Sequence, residues 1–400
     1  MEYAEFPENE YQHRLERLQA ALRHDNVDFG LFCSEQNYRY VTGHHTETWL
    51  NPTRPMAVWV PAEGAPVAVV CESEIEWFRQ TSWIERAATY DGLSVGPDLA
   101  LGVPEIGFEP KIPDAIIEAA RMVGVTPGKR VGWEFGSRSR MNMPQMVIQG
   151  VQSGLDGVEW VDAASLMWGV RAIKSEREVE CLRVAVKSLD GAFEGILQNL
   201  PSGISERDVA RKLKIGVMQH GADRPGYVNV VGDVASYPVF SAPTSRSLRE
   251  GCLMYIDGGS VYRGYWSDYC RMMVIGRASD AQRDAYRISY NAMEAAIAAA
   301  RPENSASDIA RAVQAVVESE PGPTETGIDR VGHGIGLEMP EPPSLHLEDE
   351  AVLRPGMVLC LEPNLELPGV GFLVAEEQVV ITEDGCELLS RRAPAELPVV

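Results

Sequence analysis

One pattern, repeated in the C-terminal half, constrains the fold of this chain more than any other feature. Leu248–Asp257 reads LREGCLMYID and Leu353–Glu362 reads LRPGMVLCLE. Each copy opens with Leu-Arg-x-Gly, a turn signal, runs through five mostly apolar residues suited to a buried strand, and closes on a carboxylate. Two helical patterns precede each copy: 176–198 and 206–220 before the first, 280–301 and 307–318 before the second. Matched helix-helix-strand halves predict a pseudo-symmetric domain with its site between the halves.

The N-terminal part is organised differently. Residues 12–25 predict an amphipathic helix with Leu15, Leu18, Ala21 and Leu22 on one face. Short apolar runs follow at 28–33, 54–60 and 66–70, the last two flanking Pro61–Ala65 as in a hairpin. A helix over 112–123 precedes a strand over 130–134. Alternation of this kind predicts an α/β domain over residues 1–165 and a second domain over 166–400, opened by a long helix at 175–198. Four hundred residues suit two such domains.

The formal net charge of −22 argues against nucleic acid or an anionic membrane as partner, since both would repel it. No apolar run approaches the roughly 20 residues that span a bilayer, and Met1–Glu8 lacks a basic-then-apolar leader. Seven cysteines are scattered without a Cys-x-x-Cys pair, which excludes a zinc ribbon and argues against a disulfide framework. Cys252, Cys270 and Cys360 stand in apolar stretches and are expected to be small buried hydrophobes. A reduced, cytoplasmic protein is expected.

The carboxylates carry the chemistry. Burying one at the end of an apolar strand costs several kcal/mol unless a cation or hydrogen bonds compensate it. Asp257 and Glu362 end the two repeat strands, Asp268 follows in YWSDYCR, and Glu376 stands in VAEEQVVIT. His333 lies between the halves in RVGHGIGLEMPEPP, a stretch expected to form a glycine-rich turn. Four carboxylates converging on one histidine repel one another without metal, whereas two divalent ions balance them.

In order and context these residues resemble the five ligands of the pita-bread metallopeptidases, the family of methionine aminopeptidase, Xaa-Pro aminopeptidase and prolidase. Ile256-Asp257-Gly258-Gly259 resembles the family's strand-ending Asp-x-Gly. Gly264–Arg271 resembles its Gly-Tyr-x-Ser-Asp-x-x-Arg, and Gly332–Leu337 and Leu361-Glu362-Pro363 are equally similar. Val170–Ser175 resembles the usual lead-in to the catalytic domain, and the N-terminal part resembles the creatinase/prolidase N-domain. The resemblance implies a pita-bread domain binding two divalent ions, manganese, iron, cobalt or zinc, and hydrolysing an amide C–N bond. It assigns Asp257 and Asp268 to one ion, His333 and Glu362 to the other, and Glu376 as a bridge with Asp268. Glu376 is chosen over Glu377 by counting six back from Thr382. Glu362 is the expected general base, and a homodimer is implied.

The departures concern the substrate. Proline-specific members carry a histidine about seven residues after the ligand, where this chain has Pro340; another falls at Phe240 and a third at Asp329. Their arginine two before the last glutamate is Val374 here. Retained ligands with these losses imply metal-water chemistry on a dipeptide or small amide, in a pocket lined by Phe240, Tyr237 and Pro340. His44, His45, Trp49 and Arg54 form either a solvated loop or a segment reaching a partner subunit's pocket. His13 and His24 are expected on an exposed helix face and His346 on a solvated turn, while His220, at the end of a helical pattern, is expected to be structural or to compensate the helix dipole. Two other readings use the same framework: a lyase resembling dimethylsulfoniopropionate lyase, and a non-catalytic binding protein.

Overall fold

Short β-branched and aromatic runs build the first sheet. The computed structural model describes residues 2–400 apart from 52–53, 93–110, 137–140, 199, 202, 321–324 and 327–329, with the backbone alone of 325–326. The chain divides into two compact units, Met1–Val170 and Arg171–Val400.

In the first unit, β1 (Phe29–Phe32), β2 (Ala57–Pro61), β3 (Val67–Cys71), β4 (Ala87–Tyr90), β5 (Arg130–Trp133) and β6 (Glu159–Asp162) form one mixed sheet in the order β4-β3-β2-β1-β5-β6. The hairpin expected around Pro61–Ala65 is present, with Trp59 opposite Val67. Both its strands are buried throughout, which is why they read as continuous apolar runs rather than alternating ones. The helix Ile112–Val123 has the expected bounds and ends on Gly124, whose φ of 93° only glycine adopts without strain. The helix expected from residue 12 starts earlier, at Glu8, with Glu8 and Glu10 in its first turn.

Glu134, just after β5, is buried and fully engaged. It accepts from the backbone N–H groups of Cys33 and Ser34, from the Ser34 hydroxyl and from Asn37 Nδ2. Its treatment sets a standard for a buried carboxylate in this chain.

Neither reading of the His44 loop anticipated its packing. His44 is fully buried, its ring against Phe78 and Tyr38 and its Nδ1 2.8 Å from Thr81 Oγ1. Burial, reinforced by His45 and Arg39, pushes its pKa down to about 3, so it stays neutral. Trp49 packs edge-on against Tyr38, Trp77 donates to the His45 carbonyl, and Arg54 donates to the Gly92 carbonyl. A solvated loop is therefore ruled out for His44, because aromatic neighbours take its ring out of water.

The second unit begins with the helices Glu176–Gln198 and Glu206–Gln219, followed by β7 (Arg224–Val231), β8 (Leu253–Tyr262) and β9 (Tyr265–Val274), an antiparallel sheet. The helices Asp280–Ala299 and Ala306–Ser319 follow, then β10 (Glu325–Thr326), β11 (Gly332–Gly334), β12 (Glu341–Ser344), β13 (Val358–Leu361), β14 (Asn364–Leu367), β15 (Gly371–Val374), β16 (Glu377–Ile381) and β17 (Cys386–Leu388). These strands make a five-stranded sheet, β12-β11-β13-β16-β17, and a small one, β10-β14-β15. Each helix pair buries its apolar face on its own sheet. Leu189, Val209 and Leu213 pack with Ile256 and Tyr269; Ala296, Ile309 and Val313 pack with Leu359 and Val379.

Backbone details extend the repeat beyond its ten residues. The second helix of each pair is N-capped by a serine, Ser205 or Ser305. Ser205 bridges Ser247 and Ser305 bridges Val352, the residues just before the two Leu-Arg-x-Gly turns. Leu248 N–H donates to the Ile204 carbonyl as Leu353 N–H donates to Asn304. The pseudo-two-fold is thus built into main-chain pairing.

Two local expectations need correction. Asp257 does not end its strand: β8 continues through Gly258 and Gly259 because these glycines pair with Tyr269 and Asp268. A Cβ on Gly259 would lie 2.3 Å from the Ser267 carbonyl oxygen, so glycine is what lets the ladder run on. Gly332-His333-Gly334 is not a turn but strand β11, paired on both edges. Gly332 has φ 150°, and its Cβ would meet the Cys360 carbonyl oxygen at 2.2 Å. Gly332→Ala is therefore expected to destabilise the protein by roughly 2 kcal/mol or more, read as a shifted urea midpoint with an unchanged slope.

Among the described residues, no helix is long and apolar enough to cross a membrane.

Candidate metal centre

Strand parity gathers the acidic residues on one face. In the β8–β9 ladder Gly259 stands opposite Asp268, and Asp257 lies two residues before Gly259. Side chains two apart share a face, so both aspartates project the same way. In the other sheet His333 stands opposite Cys360, and Cys360 opposite Gln378. Glu362 and Glu376 lie two residues beyond Cys360 and two before Gln378, so all five share one face. The two sheets meet through Gln378, whose Oε1 accepts from Asp268 N–H at 3.1 Å.

The result is a close cluster. Asp268, His333, Cys360 and Glu376 each place a donor atom within 4.8 Å of the others, and all four residues are buried. His333 Nε2 lies 3.5 Å from Asp268 Oδ2 and 3.7 Å from Glu362 Oε1. Asp257 Oδ2 accepts from the Tyr255 hydroxyl at 2.8 Å. Asp257, Asp268, His333, Glu362 and Glu376 are thus brought together within the second unit.

The electrostatics disfavour the ionised carboxylates, a penalty that a bound cation would relieve. Burial raises the pKa of Asp257, with Asp268 adding to it. Burial also raises Asp268, against the lowering field of Arg330. Glu376 is pushed up by burial and then by Asp268, Glu362 and Asp257. Glu362 is raised by burial, against His333 and Arg330. His333 is held neutral, its pKa lowered mainly by burial.

The histidine tautomer points the same way. His333 Nδ1 lies 2.9 Å from the Gly334 carbonyl oxygen, so Nδ1 carries the proton and Nε2 presents its lone pair to two carboxylates. Lone pairs from three groups converging on one space repel unless a cation stands among them.

Unpartnered oxygens confirm the fit. Asp257 Oδ1 and Glu376 Oε1 are buried without a hydrogen-bond partner among the described residues, as is Glu362 Oε1 apart from a loose ion pair. Three other buried carboxylates of the chain, Glu134, Glu206 and Glu341, are held by hydrogen bonds or cations. Glu206 accepts from Gly232 N–H, Thr244 and Arg246, and Glu341 is held by Arg171 and Lys174. Residues at the centre thus fit divalent cations, hard ions that prefer oxygen and imidazole ligands.

Glu376 and Glu377 have opposite surroundings. Glu377 faces away, accepting from Arg271, Ser390 and Ala393 N–H. Arg271, the last residue of the Gly-Tyr-x-Ser-Asp-x-x-Arg motif, also donates to the Glu376 carbonyl at 2.7 Å and so fixes the backbone under that carboxylate.

Sequence reasoning missed four residues here. Cys360 lines the cluster, but its thiol donates to the Asp268 carbonyl at 3.3 Å and burial pushes its pKa well up. That makes it a neutral wall rather than a thiolate ligand. Its place opposite His333 follows from register, which no local motif reveals. Tyr255 could have been found from parity, two residues before Asp257 on a strand. Tyr227 feels the charges of Asp257, Asp268 and Glu376, after burial as the main cause of its raised pKa. Arg330 was hidden among the glycine motif's flanking residues.

The expected pocket residues are placed less tightly. Phe240 is 71% exposed and Tyr237 lies under the Arg246 guanidinium at 3.6 Å. Their loop is tied to β7 by Asn229 Nδ2, which donates to the Val239 carbonyl. Pro340 is exposed at the approach to β12, and Val374 is buried in β15. Asp329 lies outside the described residues. His44, His45, Trp49 and Arg54 belong to the first unit and are engaged there as described above.

A cation site of acidic residues and one histidine, set between two pseudo-symmetric halves, defines a class of metal-dependent enzyme. The family models agree with that class: metallopeptidase family M24 matches residues 180–383, and the creatinase/prolidase N-terminal domain matches 14–173. An uncharacterized peptidase of Bacillus subtilis is 30% identical over 389 residues, covering 97% of this chain and 100% of that protein. The chain belongs to metallopeptidase family M24, and with it to the hydrolases that use divalent metal ions. The Xaa-Pro dipeptidase of Pyrococcus furiosus is 31% identical over 224 residues, a stretch spanning 56% of this chain and 64% of that enzyme. The solved Xaa-Pro dipeptidase of Bacillus anthracis superposes with a TM-score of 0.82 over 98% of this chain and 100% of its own, at 22% identity, which shows the shared pita-bread fold. Nothing in these likenesses favours a lyase.

Proposed function

We propose that the second unit is a dinuclear metal-dependent hydrolase of an amide C–N bond, acting on Xaa-Pro dipeptides or small amides. The observation that carries this reading is the set of buried, unpartnered carboxylate oxygens gathered around His333, whose Nε2 faces two of those carboxylates. Relatives named Xaa-Pro dipeptidase support the substrate class.

In this reading Asp257 and Asp268 would hold one ion and His333 and Glu362 the other, with Glu376 and Asp268 the residues that would serve both. Bound metal would supply an activated water and polarise the substrate carbonyl. Tyr255 keeps Asp257 oriented by holding one of its oxygens. Glu362, at the more exposed edge of the cluster, carries a proton from the attacking water to the departing nitrogen. The neutral tautomer of His333 is fixed by the Gly334 carbonyl, so it does not compete for that proton. Phe240, Tyr237 and Pro340 offer apolar surface to the substrate in place of histidines.

A turnover screen tests the reading: metal-loaded protein against Xaa-Pro dipeptides and small amides, with metal content measured on the same sample. Hydrolysis with about two ions per chain is expected, as in other two-metal hydrolytic sites. Well under one ion per chain, or no hydrolysis of any amide, would sink it. Metal removal gives a second expected result. Ligands that bind only the folded state stabilise it by about 2.7 kcal/mol at 100-fold over Kd, so chelation should lower the melting temperature and added metal should restore it. A melting temperature indifferent to chelator would mean the centre holds no metal in solution.

A further inference from the structure

Arg330 stands three residues before His333, and its side chain is two-thirds buried, with 33% exposed. Its Nη2 lies 3.3 Å from Glu362 Oε1 in a loose ion pair that lacks hydrogen-bond geometry. The backbone is anchored: Asn364 Nδ2 donates to the Arg330 carbonyl and also to that of Glu362. Among the described residues this guanidinium donates no hydrogen bond. The contrast with other arginines beside acids is plain. Arg246 reaches both oxygens of Glu206, Arg271 joins Glu377 and three carbonyls, and Arg171 bridges Glu338 and Glu341. Arg330 thus holds most of a planar five-donor fork beside Glu362, part of it open to solvent.

Charge counting gives that fork a purpose. Four carboxylates are cancelled by two divalent ions, and His333 is neutral. Arg330 then leaves the loaded site with one net positive charge, inside a chain of formal charge −22. Phe240, Pro340 and Val374 contribute no charge. The local field therefore favours an anion, and the fork suits the two oxygens of a carboxylate.

We propose that Arg330 recognises a substrate carboxylate, the C-terminal group of a dipeptide, and so selects anionic substrates over neutral amides. This rests on the hydrolase reading above. The alternative role, ordering Glu362 alone, predicts no distinction between ligands with and without the carboxylate.

The test titrates N-acetylproline and N-acetylprolinamide into metal-loaded protein by calorimetry, for wild type, R330K and R330Q. Both ligands meet the same preparation, so their affinity ratio does not depend on the active fraction. Wild type is expected to prefer the carboxylate by about 10-fold or more, the scale of a charge-assisted hydrogen bond. R330Q should bring the ratio near one, with R330K between, because an ammonium offers a point charge without the fork. A ratio that survives in R330Q overturns the proposal, whether or not both affinities fall together; so does a wild type without preference. Turnover of Ala-Pro separates the two readings. No hydrolysis with the preference intact sinks the hydrolase and leaves Arg330 standing, and hydrolysis without the preference does the reverse.

Discussion

Asp268→Asn should lose activity on whichever amide the protein hydrolyses by more than about 100-fold, since even residues that only support metal ligands commonly cost 10- to 100-fold. Asp268 is the hinge of the cluster. Its Oδ2 is 3.5 Å from His333 Nε2, its backbone is pinned by Gln378, and its charge raises Asp257 and Glu376. Asparagine keeps the shape and removes the charge, so the loss falls on metal affinity rather than on packing. The same change relieves repulsion in the metal-free protein. Chelated D268N is therefore expected to resist urea better than chelated wild type, the opposite sign to its activity. Metal content and two urea curves decide the matter. A variant that retains both metal and rate would place the reaction elsewhere.

Arg171→Leu should produce the largest loss of stability, about 3–5 kcal/mol, the usual cost of removing one partner from a buried ion group. That corresponds to a melting temperature lower by roughly 10 °C for a unit of this size. Arg171, Lys174, Glu338 and Glu341 are all buried, with Arg171 Nη1 2.9 Å from Glu338 Oε1 and Lys174 Nζ 3.0 Å from Glu341 Oε2. Glu341 also takes the Glu338 N–H at 3.1 Å. The group thus ties the start of the second unit to the segment between His333 and β12.

The effect has a pH signature. Burial alone would raise the Glu341 pKa, but Arg171 and Lys174 outweigh it and hold the carboxyl below its usual range. A depressed folded pKa means that Glu341 stabilises the wild type above the unfolded value of about 4.3, and that this is lost as pH falls through the folded value. Without Arg171 the burial effect prevails and the folded pKa rises. Stability of the variant should then fall as pH rises past the unfolded value, so its deficit is larger at pH 8 than at pH 5. A deficit independent of pH would show that Arg171 acts through packing alone.

Sequence patterns revealed some of this architecture and concealed the rest for physical reasons. The paired turns at Leu248 and Leu353 announced two equivalent halves because local turn chemistry and apolar periodicity repeat in the chain. The five centre residues were recognisable because each sits in a short motif. Arg171 and Glu341 were not, since their pairing links segments far apart in sequence and leaves no local trace. The same holds for Cys360, whose position against His333 is a matter of register. Glu377 shows the limit of counting residues: parity, not spacing, turns it toward Arg271. His44 was misjudged because a His-His-Thr-Glu-Thr run looks wet, while Phe78, Tyr38 and Thr81 arrive from elsewhere to enclose it.

The β8–β9 hairpin closes on Arg263 and Gly264, both with positive φ, after an unbroken ladder from Leu253↔Val274 to Tyr262↔Tyr265. Asp257 and Asp268 stand on opposite arms of it. One residue gained or lost at the turn would rotate Asp268 to the other side of the sheet, into the apolar helices that cover it. The length of this hairpin, more than the identity of most of its residues, therefore holds the two aspartates on one face. The spacing of the two aspartates is thereby set by the length of the hairpin.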